Sequence, residues 1–433
     1  MKEHQDSDYT FLQEKIKERP INKKKLIRST INTATFAVVF GLVACVSFIL
    51  LEPVISNWLN PQEEQVEINS VILPAEDDEM LPEDMVEDEA ELDLTENINI
   101  SSAVTTVELQ LSDYEKMYDE LYDVVEETQK SMVTVIGMSS NVDWFNNTLE
   151  SENETTGFII TDNNKELLIL ADYKYVKDAT EIKVIFVDNM QVVATVKKYD
   201  PNTGLAIIAV ELANIPKATM EDIEHVKLGS SNSGNYAGDL VIAVGSPLGY
   251  TDSLCYGNIT SIGKEINTID RNYKLITTDI YGSSSASGAL FNTSGQLIGI
   301  INQNYNSTDL ENQISAIGIS ELRKLIENLS NAKDTNHLGL FVTDVTDSAR
   351  QQLSMPMGVY VLNVDPNSPA MLTGIQKGDI VTAVDDVLVR NVTDYVAELR
   401  SQTPGEEIMV TIQRMSVDGY REIDVKVTLE ILD

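Results

Sequence analysis

Residues 155–161 read TTGFIIT and residues 166–171 read ELLILA, with Asp162-Asn163-Asn164-Lys165 between them. Branched, aromatic and long aliphatic side chains at this density favour extended backbone, and Asn and Asp punctuate it because their side chains satisfy the backbone in a turn. The same kind of unit recurs on both sides: MVTVIGM at 132–138, EIKVIFV at 181–187, VVATVKKY at 192–199, LAIIAVEL at 205–212, LVIAVG at 240–245, LITTDI at 275–280 and QLIGIINQ at 296–303. Short strands spaced regularly by Asn, Asp and Gly predict an all-β barrel or sandwich assembly of about 200 residues. A helix over 112–130 precedes it, with Ser112 and Glu115 at capping-box spacing and Tyr114, Tyr118, Leu121 and Val125 at helical intervals.

The pattern shifts after a helical stretch at 320–329 and a polar linker at 330–336. Leu338-Gly339-Leu340, GVYVLNV at 358–364, Ser368-Pro369-Ala370, Gly374-Ile375, Gly378-Asp379-Ile380-Val381, a helix at 393–400 and EIMVTIQR at 407–414 follow. About 100 residues with two short helices and five or six strands make a small separate domain over 335–433.

In the other direction, residues 31–51 carry no charge. That is long enough for one helix to cross a hydrocarbon core of about 30 Å. The stretch is longer than a cleaved signal usually shows and ends in Leu50-Leu51-Glu52-Pro53 rather than a small-residue cleavage site, so it reads as a retained anchor. Lys23, Lys24, Lys25 and Arg28 precede it and acids follow, which places residues 1–30 in the cytoplasm as a basic tail and the rest outside. Residues 61–100 hold fifteen acids and no Lys or Arg. Self-repulsion predicts an extended acidic stalk over 52–110.

The 433 residues carry a net charge of −38, which excludes binding to a phosphate backbone over most of the surface. Two cysteines, Cys45 and Cys255, cannot build a disulfide framework, and the three histidines, His4, His225 and His337, are too scattered for a ligand cluster. No metal or other cofactor is expected.

The C-terminal hundred residues resemble the PDZ domains attached to bacterial proteases. In these, an aromatic-Leu-Gly-aliphatic loop receives a peptide C-terminus, and Ser-Pro-Ala, Gly-Ile and Gly-Asp-Ile-Val recur. Leu338, Gly339 and Leu340 match the loop, with His337 at the aromatic position. Residues 130–330 resemble the trypsin-like domain of the HtrA (DegP-like) serine proteases. The matching pieces are Thr156-Gly157-Phe158-Ile159-Ile160, Asp200-Pro201-Asn202-Thr203-Gly204-Leu205-Ala206, the run Val241 through Gly249, Thr277-Thr278-Asp279, and Ser287-Gly288-Ala289-Leu290 before Gly299-Ile300. The resemblance implies a mainly β chain, a trypsin-like double β-barrel over 111–330 followed by an α+β PDZ domain, with one N-terminal transmembrane helix. It also implies a homotrimer, or a mixed oligomer with active relatives.

Acyl transfer on that fold uses a serine, a histidine, an aspartate and backbone N–H groups for the oxyanion. Carried onto this sequence, the histidine position holds Lys174, the aspartate position Gly204 and the serine position Ala286. No triad member is retained, and His225 and His337 read as surface or loop histidines. The expected chain is therefore a membrane-anchored, extracytoplasmic pseudoprotease of a single-membrane bacterium. It would bind protein C-termini through Leu338, Gly339 and Leu340, with Tyr395 and Leu399 beside the groove. The alternative is an endopeptidase in which Ser287 acts with Lys174 as a Ser-Lys dyad. A purely structural surface protein is the third class.

Overall fold

The computed structural model describes residues 35, 38–40, 68–74, 110–142, 148–232 and 237–432. The chain divides into two compact units, residues 1–66 and 67–433. In the first, residues 35 and 38–40 are helical and exposed. The apolar span expected at 31–51 otherwise lies outside the described residues, as do the basic tail and residues 75–109 of the expected stalk. Among the described residues no helix is long and apolar enough to cross a membrane.

The second unit begins with a difference from the sequence expectation. Residues 68–74, within the acidic stretch expected to be an extended stalk, are docked on the barrel domain. Asn331 acts as a surrogate peptide group: its Oδ1 accepts from Val71 N at 2.9 Å and its Nδ2 donates to Val71 O at 2.8 Å. The Val71 side chain is buried, and Arg323 Nη1 donates to Pro74 O at 2.7 Å.

Among the described residues, twelve strands close into two antiparallel barrels of six. The first runs β1 (Met132–Val142), β2 (Thr148–Asp162), β3 (Glu166–Asp172), β6 (Leu205–Glu211), β5 (Gln191–Asp200) and β4 (Glu181–Ile185), with β4 returning to β1. The second runs β10 (Ser287–Phe291), β11 (Leu297–Ile301), β12 (Gln313–Gly318), β9 (Arg271–Tyr281), β8 (Ser253–Thr268) and β7 (Leu240–Ser246), with β7 returning to β10. Closure leaves no unpaired sheet edge. Strand β3 is buried on both faces from Leu167 to Ala171 because one face fills the first barrel while Leu168 and Leu170 pack toward the second. This is why its sequence is a continuous apolar run rather than an alternation.

Helix α1 (Leu111–Gln129) starts two residues earlier than its expected capping box: Asp113 Oδ2 accepts from Gln110 N at 2.9 Å. It buries Leu121, Val125 and Thr128, whereas Tyr114 and Tyr118 of the expected packing stripe are exposed, Tyr118 meeting Tyr256 edge-on. A short helix α2 (Lys217–Asp222) links the barrels. Helix α3 (Ile319–Ser330) packs against strands of both barrels, burying Ile319, Leu322, Leu325, Ile326 and Leu329 at three- and four-residue spacing. Each such side chain contributes about 1.5–3 kcal/mol.

The C-terminal domain is the sheet β14 (Leu340–Asp344), β15 (Val359–Val364), β16 (Ile380–Val384), β18 (Glu407–Ser416), β19 (Gly419–Thr428), with β17 (Val387–Leu388) beside β16 and a separate pair β13 (Asn336–His337) and β20 (Glu430–Ile431). Helices α4 (Asp347–Leu353), α5 (Pro369–Leu372) and α6 (Val392–Ser401) complete it. Its core is its own: Leu338, Leu340, Val361, Tyr395, Leu399 and Val410 pack in one cluster apart from the barrels.

Candidate functional site

The fold brings Lys174, Gly204 and Ala286 to one cavity of about 110 Å³ between the barrels, which Asp172, Thr203, Ser287 and Asn302 also line. Each arrives on a turn. Lys174 sits in the one-turn helix Tyr173–Tyr175 that ends β3, capped by Asp172, whose Oδ1 accepts Lys174 N at 3.0 Å. Gly204 closes the β5–β6 turn at φ +73°, its N–H donating to Asp200 O at 2.9 Å. The carboxylate of that turn, Asp200, is buried: its Oδ2 accepts from Thr203 N at 2.9 Å and Thr203 Oγ1 at 2.7 Å, while its Oδ1 has no hydrogen-bond partner.

Lys174 Nζ lies 3.1 Å from Asp172 Oδ2 and 4.7 Å from the Tyr175 ring centroid. Partial burial alone would lower its pKa, but the Asp172 carboxylate and Tyr175 outweigh it and hold the ammonium above the ordinary lysine range. A base needs the opposite shift. Ser287 is 3% exposed, and its Oγ has no hydrogen-bond partner. Both residues line the cavity, yet no hydrogen bond joins them.

The loop before Ser287 is tied to itself. Ser283 O accepts from Ala286 N at 3.0 Å and from Gln303 Nε2 at 3.2 Å, and Ser283 Oγ accepts from Ser285 N at 3.1 Å. On this fold the amide at the nucleophile position is one of the two oxyanion donors. The N–H of Ala286, the residue expected at that position, is spent within the turn. Gly288 then allows β10 to approach β7: at φ +121°, a Cβ there would lie 2.2 Å from Val244 O. His225 is remote from the cavity, 3.6 Å from Asp162 on the surface.

A second site is built at the C-terminal domain, and sequence reasoning missed its central residue. The turn between β8 and β9 is Ile269-Asp270, and Asp270 is 4% exposed. Its Oδ2 accepts from Leu338 N and Gly339 N, both at 2.7 Å, and its Oδ1 from Leu340 N at 2.9 Å and from the Tyr395 hydroxyl at 2.8 Å. Asp270 N donates to Leu340 O at 2.7 Å. Tyr395 and Leu399, expected beside an open groove, are core residues, because α6 turns them into the cluster behind the loop. His337 is likewise not a surface histidine. It is buried in β13, Nδ1 3.6 Å from Asp270 and Nε2 3.7 Å from Asp365. An aspartate in a hairpin turn carries no sequence signal for such a role.

The Asp270 carboxylate raises the His337 pKa above the ordinary histidine value, against the opposing effect of burial and with help from Asp365 and Glu430. A raised folded pKa means stabilisation that is complete below the unfolded value and lost as pH rises through the folded one. Wild type should therefore gain stability over His337→Gln when pH is lowered from about 8 to about 6. Urea midpoints at both values check this; an advantage that grows toward pH 8 would show that the carboxylates around His337 do not hold its proton.

Comparison with known proteins agrees with this fold. Residues 155–300 match the model of the trypsin-like peptidase domain and residues 360–414 that of the PDZ domain. The chain is 28% identical over 303 residues to the serine protease Do-like HtrA of Lactobacillus helveticus, covering 66% of this chain and 70% of that one. It is 24% identical over 343 residues to the protein of the same name from Lactococcus lactis subsp. cremoris, covering 73% and 80%. Among solved structures it is similar to the HtrA-type protease AlgW with a decapeptide, at a TM-score of 0.52 and 19% identity, covering 72% of this chain and 98% of that one. The double barrel is thus a trypsin-like peptidase domain and the C-terminal unit a PDZ domain. With that domain order, the chain has as homologues serine proteases named as HtrA and DegP-like proteins.

Proposed function

We propose that this chain is a membrane-anchored, extracytoplasmic HtrA-like pseudoprotease. It binds peptide or unfolded-protein C-termini through its PDZ domain, in protein quality control or as a regulator of active relatives within a mixed oligomer or as a homotrimer. The observation that supports the reading is that an ion-paired lysine, a glycine and an alanine, the residues expected at the three positions that acyl transfer needs, line one cavity between the barrels. Losing a nucleophilic serine or its histidine in enzymes of this type lowers turnover by about a million-fold. The upward shift of Lys174 and the spent Ala286 amide weigh against the Ser287 dyad. The relatives described as periplasmic DegP-like endoproteases, from Halomonas elongata and Rickettsia prowazekii, support an extracytoplasmic place for the folded unit.

Prolonged incubation of residues 67–433 with an unfolded protein substrate, beside a Ser287→Ala control, tests the reading. No cleavage is expected in either sample. Cleavage that disappears in Ser287→Ala would establish a rearranged serine protease.

A further inference from the structure

A PDZ domain captures a chain end by adding it to the edge of the strand after the loop, while loop N–H groups hold the terminal carboxylate. In this structure all three loop amides, Leu338, Gly339 and Leu340, already hold a carboxylate, that of Asp270 from the peptidase-like domain. The imitation extends to the backbone: Asp270 N–H pairs with Leu340 O, as an added strand would at the start of β14. Along β14, Asn267 Nδ2 donates to Val342 O at 2.5 Å and Asn272 Nδ2 to the same oxygen at 3.2 Å. The β8–β9 hairpin tip thus occupies the strand edge and the anion site together.

We propose that the hairpin tip 267–272 is an internal ligand of the PDZ domain, so that the C-terminal peptide of the proposed function binds only when Asp270 leaves. The inference rests on that reading for the identity of the competitor and on geometry alone for the occupancy. Two carboxylates cannot share one set of donors at hydrogen-bond distance, since like charges so close repel strongly. Peptide affinity is therefore reduced by the fraction of molecules whose loop is open. Leaving also strips the buried Asp270 carboxylate of its partners unless water reaches it, which keeps that fraction small. A ligand that displaces the hairpin uncouples the PDZ domain from the second barrel, so recognition of a chain end and release of β8–β9 become one event.

The test uses the full chain, wild type and Asp270→Asn. Asparagine keeps the size and tolerates the φ of +58° at this position, but offers one acceptor to a ring of donors. An Asn267→Ala/Asn272→Ala variant loosens the hairpin without touching the carboxylate, should Asp270→Asn fail to fold. Amide hydrogen exchange at 338–340 is read without any peptide. Binding is read by fluorescence anisotropy with a labelled pool of random decapeptides bearing free C-terminal carboxylates, against the same pool amidated. Expected are protected amides in wild type, exchange about tenfold or more faster in Asp270→Asn, and affinity for the free-carboxylate pool raised by about tenfold or more with none for the amidated pool. Equal exchange and equal affinity in the two proteins would overturn the self-occupancy. Faster exchange in the variant without any peptide binding would uphold self-occupancy and remove the peptide-binding reading instead.

Discussion

Gly339→Val should lower the stability of the PDZ domain by about 3 kcal/mol or more, the sum of overpacking and left-handed strain. Gly339 holds φ +94°, and a Cβ there would sit 2.1 Å from the Cβ of Ser368 and 2.4 Å from its Oγ. Ser368 has nowhere to retreat. It is 1% exposed, and its Oγ caps α5 by accepting from Met371 N at 3.3 Å. Gly374 supplies the control, for it also holds a positive φ, +88°, but nothing lies within 4 Å of a Cβ built on it. Gly374→Ala should therefore cost only the backbone strain, about 1 kcal/mol. Urea midpoints that fall equally in the two variants would show that the contact with Ser368 is not what demands glycine in the loop. Because the loop amides point the way they do only in this conformation, Gly339→Val should also abolish capture of free-carboxylate peptides.

The barrels were legible because a closed antiparallel strand advertises itself locally. Runs such as 166–171 need no knowledge of their partners to read as strands, and α3 shows its buried stripe in its own spacing. Lys174, Gly204 and Ala286, expected at the three positions of the catalytic site, each lie next to a strand end and line one cavity. What escaped depends on surfaces meeting across long sequence separations. Val71 reads as one apolar residue in an acidic stretch until Asn331, 260 residues away, clamps its peptide group. Asp172 reads as a strand end until its charge fixes Lys174. His337 and Tyr395 read as loop and groove residues, yet one is buried in β13 and the other in the PDZ core, and Asp270 from another domain meets both. Local pattern reports which face of an element is apolar; it does not report what covers that face.

Arg414→Ala should cost about 3 kcal/mol, because it leaves a buried carboxylate without its cation. Asp379, in the Gly378-Asp379-Ile380-Val381 run, is 1% exposed and receives Arg414 Nε at 2.7 Å and Nη2 at 2.7 Å, a two-pronged pair that ties β18 to the turn before β16. The same Nη2 donates to Gly374 O at 2.8 Å, so the guanidinium also staples the end of the α5 turn. After truncation only the Gln376 N–H, at 2.9 Å, still serves that carboxylate. The double variant Asp379→Asn/Arg414→Met separates charge burial from packing: it should recover most of the loss, since a neutral amide tolerates the site that a lone carboxylate does not. If single and double variants denature at the same urea concentration, the cost lies in lost packing and the buried charge is incidental. The two buried carboxylates of this region then differ in kind. Asp379 finds its cation within the PDZ domain and is satisfied wherever that domain goes, whereas Asp270 is satisfied only while the hairpin is docked. Arg414→Ala should accordingly leave amide exchange at 338–340 in step with wild type at low denaturant, even as it lowers global stability.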